Sequence, residues 1–379
     1  MTEALVLFAS HADADFLYAS RFAVEQGLYL RFEDGEDQLL VPDLELDRAV
    51  SESSARRILS LREAGWSDAS DPLDSWIGLC RRQLLARGTT SIRVSSHLPA
   101  GHYQALLDTG LTVRIDPELF VADRRAKSDA EADLVAAAQG AAEAACVEVA
   151  RGLLASRVGL DGLLWRGDQP LTSEWLMARA QGVLGELGYN GSDMIVAGSP
   201  GSAQPHFKGH GQIAAAAPVV VDIFPVGAQT HFCGDLTRTM IVGEIQEVFQ
   251  AMHDACLAAA DESIRRIRPG VDGRAIHHAC CRTLVERGFG TTTPGFEGSP
   301  AGPIMNHSLG HGVGLEVHEA PFMRNREYPL RDRDVVTVEP GLYQAGLGGV
   351  RVEDTGIVRE GGFQNFSSLP RSLKPEDYL

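Results

Sequence analysis

The chain has 379 residues, with 51 acidic residues against 34 lysines and arginines, so its formal net charge is −17 at pH 7. That charge repels the phosphate backbone of nucleic acids and anionic membrane surfaces, so we expect neither as a partner. The length exceeds that of a usual single domain, and the 44% hydrophobic content is ordinary for a folded protein, so we expect two domains with a substantial core.

The six cysteines are spread along the chain without the close paired spacing of a zinc knuckle or a disulfide framework. Reduced thiols of this kind are typical of a cytoplasmic protein. No apolar run approaches the roughly 20 residues of a membrane span, and the first apolar run lacks the basic flank of a signal peptide. We therefore expect a cytoplasmic location.

Short apolar runs alternate with helix-like stretches from the start of the chain to about Val121. This alternation predicts an α/β domain over residues 1–123. The predicted strands are 4–8, 28–32, 39–41, 91–94 and 111–115, and the predicted helices are 43–63, 75–87 and 99–108.

A charged segment at 123–129 follows, and we expect the second domain to occupy residues 124–379. Ser128, with Glu131 three residues later, predicts a capping box at the start of an Ala-rich helix that runs to about Leu154.

The rest of the second domain mixes strands and helices without strict alternation, which predicts an α+β fold. Its polar residues are concentrated where strands meet turns. The predicted strands are 193–197, 219–224, 236–242, 335–339 and 350–358, and the predicted helices are 172–187, 246–267 and 272–287.

Two aspartates lie on or beside neighbouring apolar strands that flank a turn region containing Pro and Gly. We expect these strands to pair antiparallel and to bring Asp222 and Asp235 face to face across the ladder. Adjacent carboxylates repel each other unless a cation lies between them. The alternative is that one aspartate caps a turn while the other forms a salt bridge with Arg238.

Three histidines, His307, His311 and His318, fall within twelve residues and are interleaved with glycines. A lone buried histidine is usually a structural residue. Clustered histidines on a tight, glycine-rich backbone more often indicate a site, because imidazole is a common metal ligand and carries protons near neutral pH.

Two further acids, Glu339 and Glu353, end or follow apolar strands. A carboxylate in such a place is costly unless it is paired or bound to a metal. Because side chains alternate between the two faces of a strand, Arg351 is predicted to lie on the same face as Glu353. There it would orient the Glu353 carboxylate without binding the metal itself.

The four acids together carry about four negative charges, which two divalent cations would balance. An oxygen-rich set with an imidazole suits Mn, Co, Fe or Zn better than a structural zinc site. The sequence therefore predicts a hydrolytic centre with two metal ions.

The phrases GDLTRT, LGHGVGLEVHEAP, VEPGLY and VRVED resemble those of the pita-bread metallopeptidases, family M24, and in particular the branch of aminopeptidase P and prolidase. The resemblance implies an N-terminal domain of the creatinase/prolidase type and a pita-bread catalytic domain. The metal ligands that it implies are Asp222, Asp235, His311, Glu339 and Glu353, with Asp235 and Glu353 bridging the two ions.

By the same resemblance, His206, His307 and His318 would contact the substrate, and His318, His206 and Glu339 would take part in catalysis. In this mechanism a hydroxide shared by two metals attacks the scissile carbonyl after Glu339 has accepted its proton. The step from Asp222 to Asp235 is longer than is common in the family, but by an even number of residues, which leaves both strands in phase.

The expected reaction is removal of the N-terminal residue from short peptides, with proline after the cleaved bond, by a homodimer. The sequence leaves open whether tripeptides or dipeptides are preferred. It also leaves open a divergent member of the family that acts on another amide or serves as a binding module, which would purify without stoichiometric metal.

Overall fold

The computed structural model describes residues 3–9, 13–66, 72–298 and 302–379. The chain divides into two compact units, Met1–Arg124 and Arg125–Leu379. Each unit has its own hydrophobic clusters. In the part of the chain that is described, no helix is both long and apolar enough to cross a membrane.

The N-terminal unit is built on a mixed sheet of strand order β4-β3-β2-β1-β5-β6. Its strands are β1 (Glu3–Phe8), β2 (Leu28–Phe32), β3 (Asp37–Val41), β4 (Arg57–Ser60), β5 (Ser91–Ser95) and β6 (Thr112–Asp116). The helices from this part of the chain are α1 (Ala14–Ser20), α2 (Leu46–Glu52), α3 (Pro72–Leu85), α4 (Ala100–Asp108) and α5 (Val121–Arg125).

The two faces of this sheet are both covered, as the near-continuous apolar strands require. Side chains alternate along a strand, so Val6 joins one hydrophobic cluster while Leu5 and Leu7 join the other. The arrangement of strands and helices agrees with the α/β prediction for this part of the chain.

One predicted helix, 43–63, is wrong in its second half. Helix α2 ends at Glu52, and its C-cap Ser53 has extended backbone angles and donates its hydroxyl to the Ser20 carbonyl at 2.7 Å. The chain then forms β4, which lies parallel to β3 at the edge of the sheet. A short edge strand with one exposed face has too weak a pattern to be distinguished from a helix by periodicity alone.

The C-terminal unit begins with the long helix α6 (Asp129–Leu154), and its predicted capping box is confirmed. The Ser128 side chain accepts from the Glu131 backbone N–H, and the Glu131 carboxylate accepts from the Ser128 backbone N–H. The other helices of this unit are α7 (Ser173–Glu186), α8 (Glu247–Arg266) and α9 (Gly273–Glu286).

The strands of this unit are distributed over several small sheets. They are β7 (Arg157–Val158), β8 (Leu164–Arg166), β9 (Gln169–Pro170), β10 (Tyr189–Asn190), β11 (Ile195–Gly198), β12 (Val219–Ile223), β13 (Val226–Gly227), β14 (Leu236–Met240), β15 (Gly290–Thr291), β16 (Ile304–Met305), β17 (Gly310–Gly312), β18 (Glu319–Met323), β19 (Val335–Val338), β20 (Gly341–Gln344), β21 (Gly348–Arg351), β22 (Asp354–Arg359) and β23 (Gly362–Asn365).

Two helix pairs each pack on their own strands. Residues of α6 and α7 share a hydrophobic cluster with β11, β12 and β14, and residues of α8 and α9 share another with β19 to β22. The acids of the predicted site come from both strand groups, so the site lies where the two groups meet.

The predicted strand 350–358 is in fact two strands, β21 and β22, which belong to different sheets. The break falls at Val352 and Glu353, where the Glu353 backbone N–H donates to the Thr237 carbonyl at 3.0 Å. Glu353 therefore lies at a crossing between sheets beside β14, rather than within a continuous strand.

Candidate metal centre

The two aspartates lie on the antiparallel pair formed by β12 and β14. Asp222 is opposite Thr237, and Asp235 comes two residues before Thr237. The expected direct opposition is therefore wrong: the two aspartates are diagonal neighbours near one face. They are still close enough for the charge of Asp222 to contribute to a raised pKa of Asp235.

Asp235 is 4% exposed, and its backbone is fixed on both sides. Its N–H donates to the Gln139 Oε1 atom of helix α6 at 2.9 Å, and its carbonyl accepts from the Thr355 hydroxyl at 2.7 Å. Gly234 allows the helix to come this close, because a Cβ there would lie 2.6 Å from the Ala138 carbonyl carbon.

His311, on β17, points its Nε2 atom at two of the acids. This atom lies 3.7 Å from Asp235 Oδ2 and 3.4 Å from Glu339 Oε1. The Nδ1 atom lies 3.1 Å from the Gly312 carbonyl, so a proton on Nδ1 is donated there and Nε2 is left as a free base.

Glu353 completes a compact group with Asp235 and His311, in which each residue offers one atom within 4.8 Å of the others. The Thr237 hydroxyl donates to Glu353 Oε2 at 2.8 Å. Glu339 directly follows β19, and its backbone N–H donates to the Leu309 carbonyl at 2.9 Å.

The acids of this group are unfavourable as bare anions. Burial, together with the charges of neighbouring carboxylates, raises the pKa of Asp235 and of Glu339 well above the usual range. Burial and the charge of Asp222 raise the pKa of Glu353 to about 8. Burial likewise lowers the pKa of His311 to about 3, which keeps the imidazole neutral.

The residues present fit a pair of divalent cations. Asp222 is 8% exposed, and its buried Oδ1 atom has no hydrogen-bond partner among the described residues. Clustered carboxylates, a neutral imidazole and an unpaired carboxylate oxygen form the donor set that such ions require.

Arg351 does not orient Glu353 directly, contrary to the prediction. Strand β21 ends at Arg351, so the expected alternation does not reach Glu353. The guanidinium instead pairs with Asp222, Nη2 to Oδ2 at 2.5 Å, and its Nε donates to the Thr237 hydroxyl at 3.1 Å. Its hydrogen-bond link to Glu353 runs through the Thr237 hydroxyl, which donates to the Glu353 carboxylate.

The alternative partner of the aspartates, Arg238, is engaged elsewhere. Its guanidinium donates to Asp354 Oδ1 at 2.8 Å and to the Glu353 carbonyl at 2.5 Å. Arg238 therefore supports the backbone at Glu353 and neutralises the neighbouring Asp354.

Tyr343 links Arg351 to His307. The Arg351 Nη1 atom donates to the Tyr343 hydroxyl at 2.7 Å, and that hydroxyl lies 3.0 Å from His307 Nε2. The His307 Nδ1 atom lies 2.7 Å from the Ser308 carbonyl, which leaves Nε2 to accept the tyrosine proton. Burial lowers the pKa of His307 to about 3, so the ring is held neutral.

His318 and His206 lie on exposed loop positions beside this group. The His318 ring packs edge-on to His311, with ring centroids 4.2 Å apart. His206 lines a cavity of about 600 Å³ formed by residues 204–210. Partial burial, followed by the charge of His206, lowers the pKa of His318.

Sequence reasoning missed three residues that support the site: Gln139, Thr237 and Tyr343. The threonine and the tyrosine lie within phrases that resemble the family, so their position could have indicated a role. Gln139 had no such signal, because it lies in the middle of an Ala-rich helix whose packing only the fold reveals.

Comparisons with known proteins cover both the sequence and the fold. Residues 133–360 match the model of metallopeptidase family M24. A Xaa-Pro dipeptidase of Pyrococcus horikoshii is 33% identical over 183 residues, which is 48% of this chain and 48% of that protein. The match thus spans about half the length of this curated relative.

Two solved structures share the fold over nearly the whole chain. The prolidase of Pyrococcus horikoshii OT3 has a TM-score of 0.80 at 23% identity, over 98% of this chain and 95% of that one. The X-Pro aminopeptidase of Thermotoga maritima MSB8 has a TM-score of 0.81 at 22% identity, over 98% and 97%. The predicted fold class is confirmed.

Proposed function

The chain belongs to metallopeptidase family M24, and we propose that it removes the N-terminal residue of short peptides when proline follows the cleaved bond. The observation that carries this proposal is the buried group of Asp235, His311 and Glu353, with Glu339 beside it. The names of the relatives, a Xaa-Pro dipeptidase, a prolidase and an X-Pro aminopeptidase, support the proline preference.

We assign the metal ligands as the sequence predicted. Asp222 and Asp235 would hold one ion and Asp235, His311, Glu339 and Glu353 the other, with both Asp235 and Glu353 shared between the two. When bound, two divalent cations, Mn by preference and otherwise Co, Zn or Fe, would supply Lewis acidity that lowers the pKa of water and polarises the scissile carbonyl.

The side chains of the chain have distinct tasks in this mechanism. Glu339 accepts the proton of the attacking water on a carboxylate oxygen, a task that suits a group whose pKa burial raises well above the usual range of a carboxyl. His318 and His206 donate hydrogen bonds to the oxygen that gains negative charge, and they relay a proton to the leaving nitrogen. His307, held through Tyr343, forms part of the substrate pocket wall.

The remaining expectations are part of the same proposal. Residues 1–123 would form a domain of the creatinase/prolidase type, and the active species would be a homodimer. A cytoplasmic location is supported by the six cysteines, none of which forms a disulfide in the described residues. A short peptide would be the partner, with no nucleic acid or membrane.

A small peptide panel tests the proposal. The metal-loaded protein should cleave an Xaa-Pro dipeptide or an Xaa-Pro-Xaa tripeptide, and should leave matched peptides with alanine in place of proline largely intact. The preferred length decides between dipeptidase and aminopeptidase. Equal cleavage of the proline and alanine peptides would remove the proline preference, and no cleavage with any of the four metals would contradict the assigned reaction.

A further inference from the structure

A buried ion pair adjoins the loop between His311 and His318. Lys127 is 2% exposed and Glu319 is 7% exposed, and the Lys127 Nζ atom is 2.8 Å from Glu319 Oε1. Removing both charges from water is costly, and such a pair often adds little to stability compared with apolar residues of the same volume. We therefore consider a role for this pair other than stabilising the fold.

The acidic partner is the residue next to His318. Glu319 is the first residue of β18, and it pairs with Gly312 of β17, the residue after His311. The register of this strand pair shifts between His311 and Gly312, so the ladder alone does not fix the loop between the two histidines.

The carboxylate of Glu319 occupies the inside of that loop. A Cβ at Gly314 would lie 2.4 Å from Glu319 Oε1, so the loop closes tightly over the charged group. The Gly314 carbonyl in turn accepts from the Cys233 backbone N–H at 2.8 Å, which ties the loop to the segment that carries Asp235.

The basic partner anchors this loop to helix α6. Lys127 immediately precedes the N-cap Ser128, and its own carbonyl accepts from Arg333. Helix α6 also carries Gln139, which holds the Asp235 backbone. The helix is thus a common support for a proposed metal ligand and for the loop that bears His318.

We propose that Lys127 and Glu319 are positioning residues that fix His318 against the substrate, an inference that rests on the proposed function. His318 itself is exposed, and its ring packs on His311. Its position depends on where the backbone before Glu319 runs. Loss of the pair lets that backbone move while the metal ligands stay in place.

The test replaces each partner in turn and uses a matched control. Lys127→Met removes the buried cation, Glu319→Gln removes the charge with its volume kept, and the double variant removes both. Arg125→Met is the control, because Arg125 is 4% exposed, lies two residues earlier and pairs with Asp334 at 2.6 Å rather than with the residue next to His318. Lys127→Met and Arg125→Met each leave a buried carboxylate without its cation, so both should lower the midpoint of thermal unfolding.

Only the Lys127 and Glu319 variants should lower kcat, by about 10- to 100-fold, since small displacements of a catalytic group have effects of this size. KM and bound metal should stay at their wild-type values. The double variant should lose no more than the single ones, because the two residues act as a unit. A kcat that falls equally in Arg125→Met, or in none of the variants, would overturn the inference.

Two further measurements test the positioning role if a variant does not fold or if the wild type cleaves no peptide. If Lys127→Met does not fold, Glu319→Gln carries the same test with less change in packing. If the wild type cleaves no peptide, the proposed function fails by itself, and the imidazole NMR signals of His318 then decide. They should shift in Glu319→Gln and not in Arg125→Met, and unshifted signals in both would overturn the positioning role.

Discussion

The acids of the site and its outer histidines are held in different ways. Asp235 and Glu353 are 4% and 2% exposed; Asp235 is held through its backbone N–H and carbonyl, and Glu353 through its backbone N–H and its carboxylate. His206 and His318 are exposed on loops, and the ring of His318 packs against the ring of His311. The buried acids suit the binding of ions at fixed positions, whereas the exposed histidines suit contact with a substrate that enters and leaves.

The largest expected effect concerns the acids. Asp235→Asn should reduce peptide hydrolysis by about 10⁴-fold, because it removes the proposed ligand that the two ions would share. The metal-free variant should nevertheless be more stable than the metal-free wild type at pH 8, since one of several mutually repelling carboxylates is gone. A peptide-hydrolysis assay of the metal-loaded proteins measures the first effect, and thermal unfolding of the metal-free proteins at pH 8 measures the second. A variant that binds metal and retains activity would contradict the assignment.

The second prediction uses the pH dependence of the metal-free protein. Burial raises the pKa of Glu353 from 4.5 to about 8, so its contribution to stability is fully present below about pH 4.5. It is lost as pH rises through about 8, a change of about 10³-fold in the folding equilibrium for this group alone.

Urea unfolding of chelator-treated protein between pH 5 and pH 8.5 measures this loss. Saturating Mn should abolish it, because bound cations favour the ionised acids. Metal-free protein whose stability rises over the same range would show that the acids are not coupled as described.

The third prediction concerns the exposed histidines. His206→Ala should lower kcat/KM by about 100-fold through loss of a donor to the developing charge, while metal content stays unchanged. His210→Ala is the control, because this ring also lies in the 204–210 segment but packs on Phe207, with centroids 5.2 Å apart. Equal losses in both variants would indicate a general effect on the segment.

The smallest expected effect concerns helix α6. Gln139→Ala should weaken metal binding by about 10-fold, because the N–H of Asp235 loses its acceptor. Ser367→Ala, which removes only the partner of the Gln139 amide nitrogen, should have a smaller effect. Metal titration by calorimetry compares the two. Unchanged affinity in Gln139→Ala would show that the strands alone hold Asp235.

The sequence predicted the parts of the molecule that local patterns control. The capping box at Ser128 depends on residues three apart, and four of the five proposed ligands, all but Asp222, stand within the short phrases that resemble the family. The register that sets Asp222 diagonal to Asp235 depends instead on pairing between strands, which the turn between them does not reveal.

Other features depend on contacts between distant parts of the chain. The pairing of Arg351 with Asp222 joins residues 129 positions apart, and that of Gln139 with Asp235 joins residues 96 positions apart. Neither pair has a local pattern, and the break before Glu353 interrupts the alternation on which the prediction for Arg351 relied. Periodicity identifies faces within one element, but it does not identify which elements meet.

The central claim is that Asp222, Asp235, His311, Glu339 and Glu353 together hold two divalent cations. The most direct test is a crystal structure of the Mn-loaded protein with anomalous data at the metal edge, combined with metal analysis of the same sample. We expect two Mn ions per chain, both contacting Asp235 and Glu353. A single ion, or ions bound away from these residues, would contradict it.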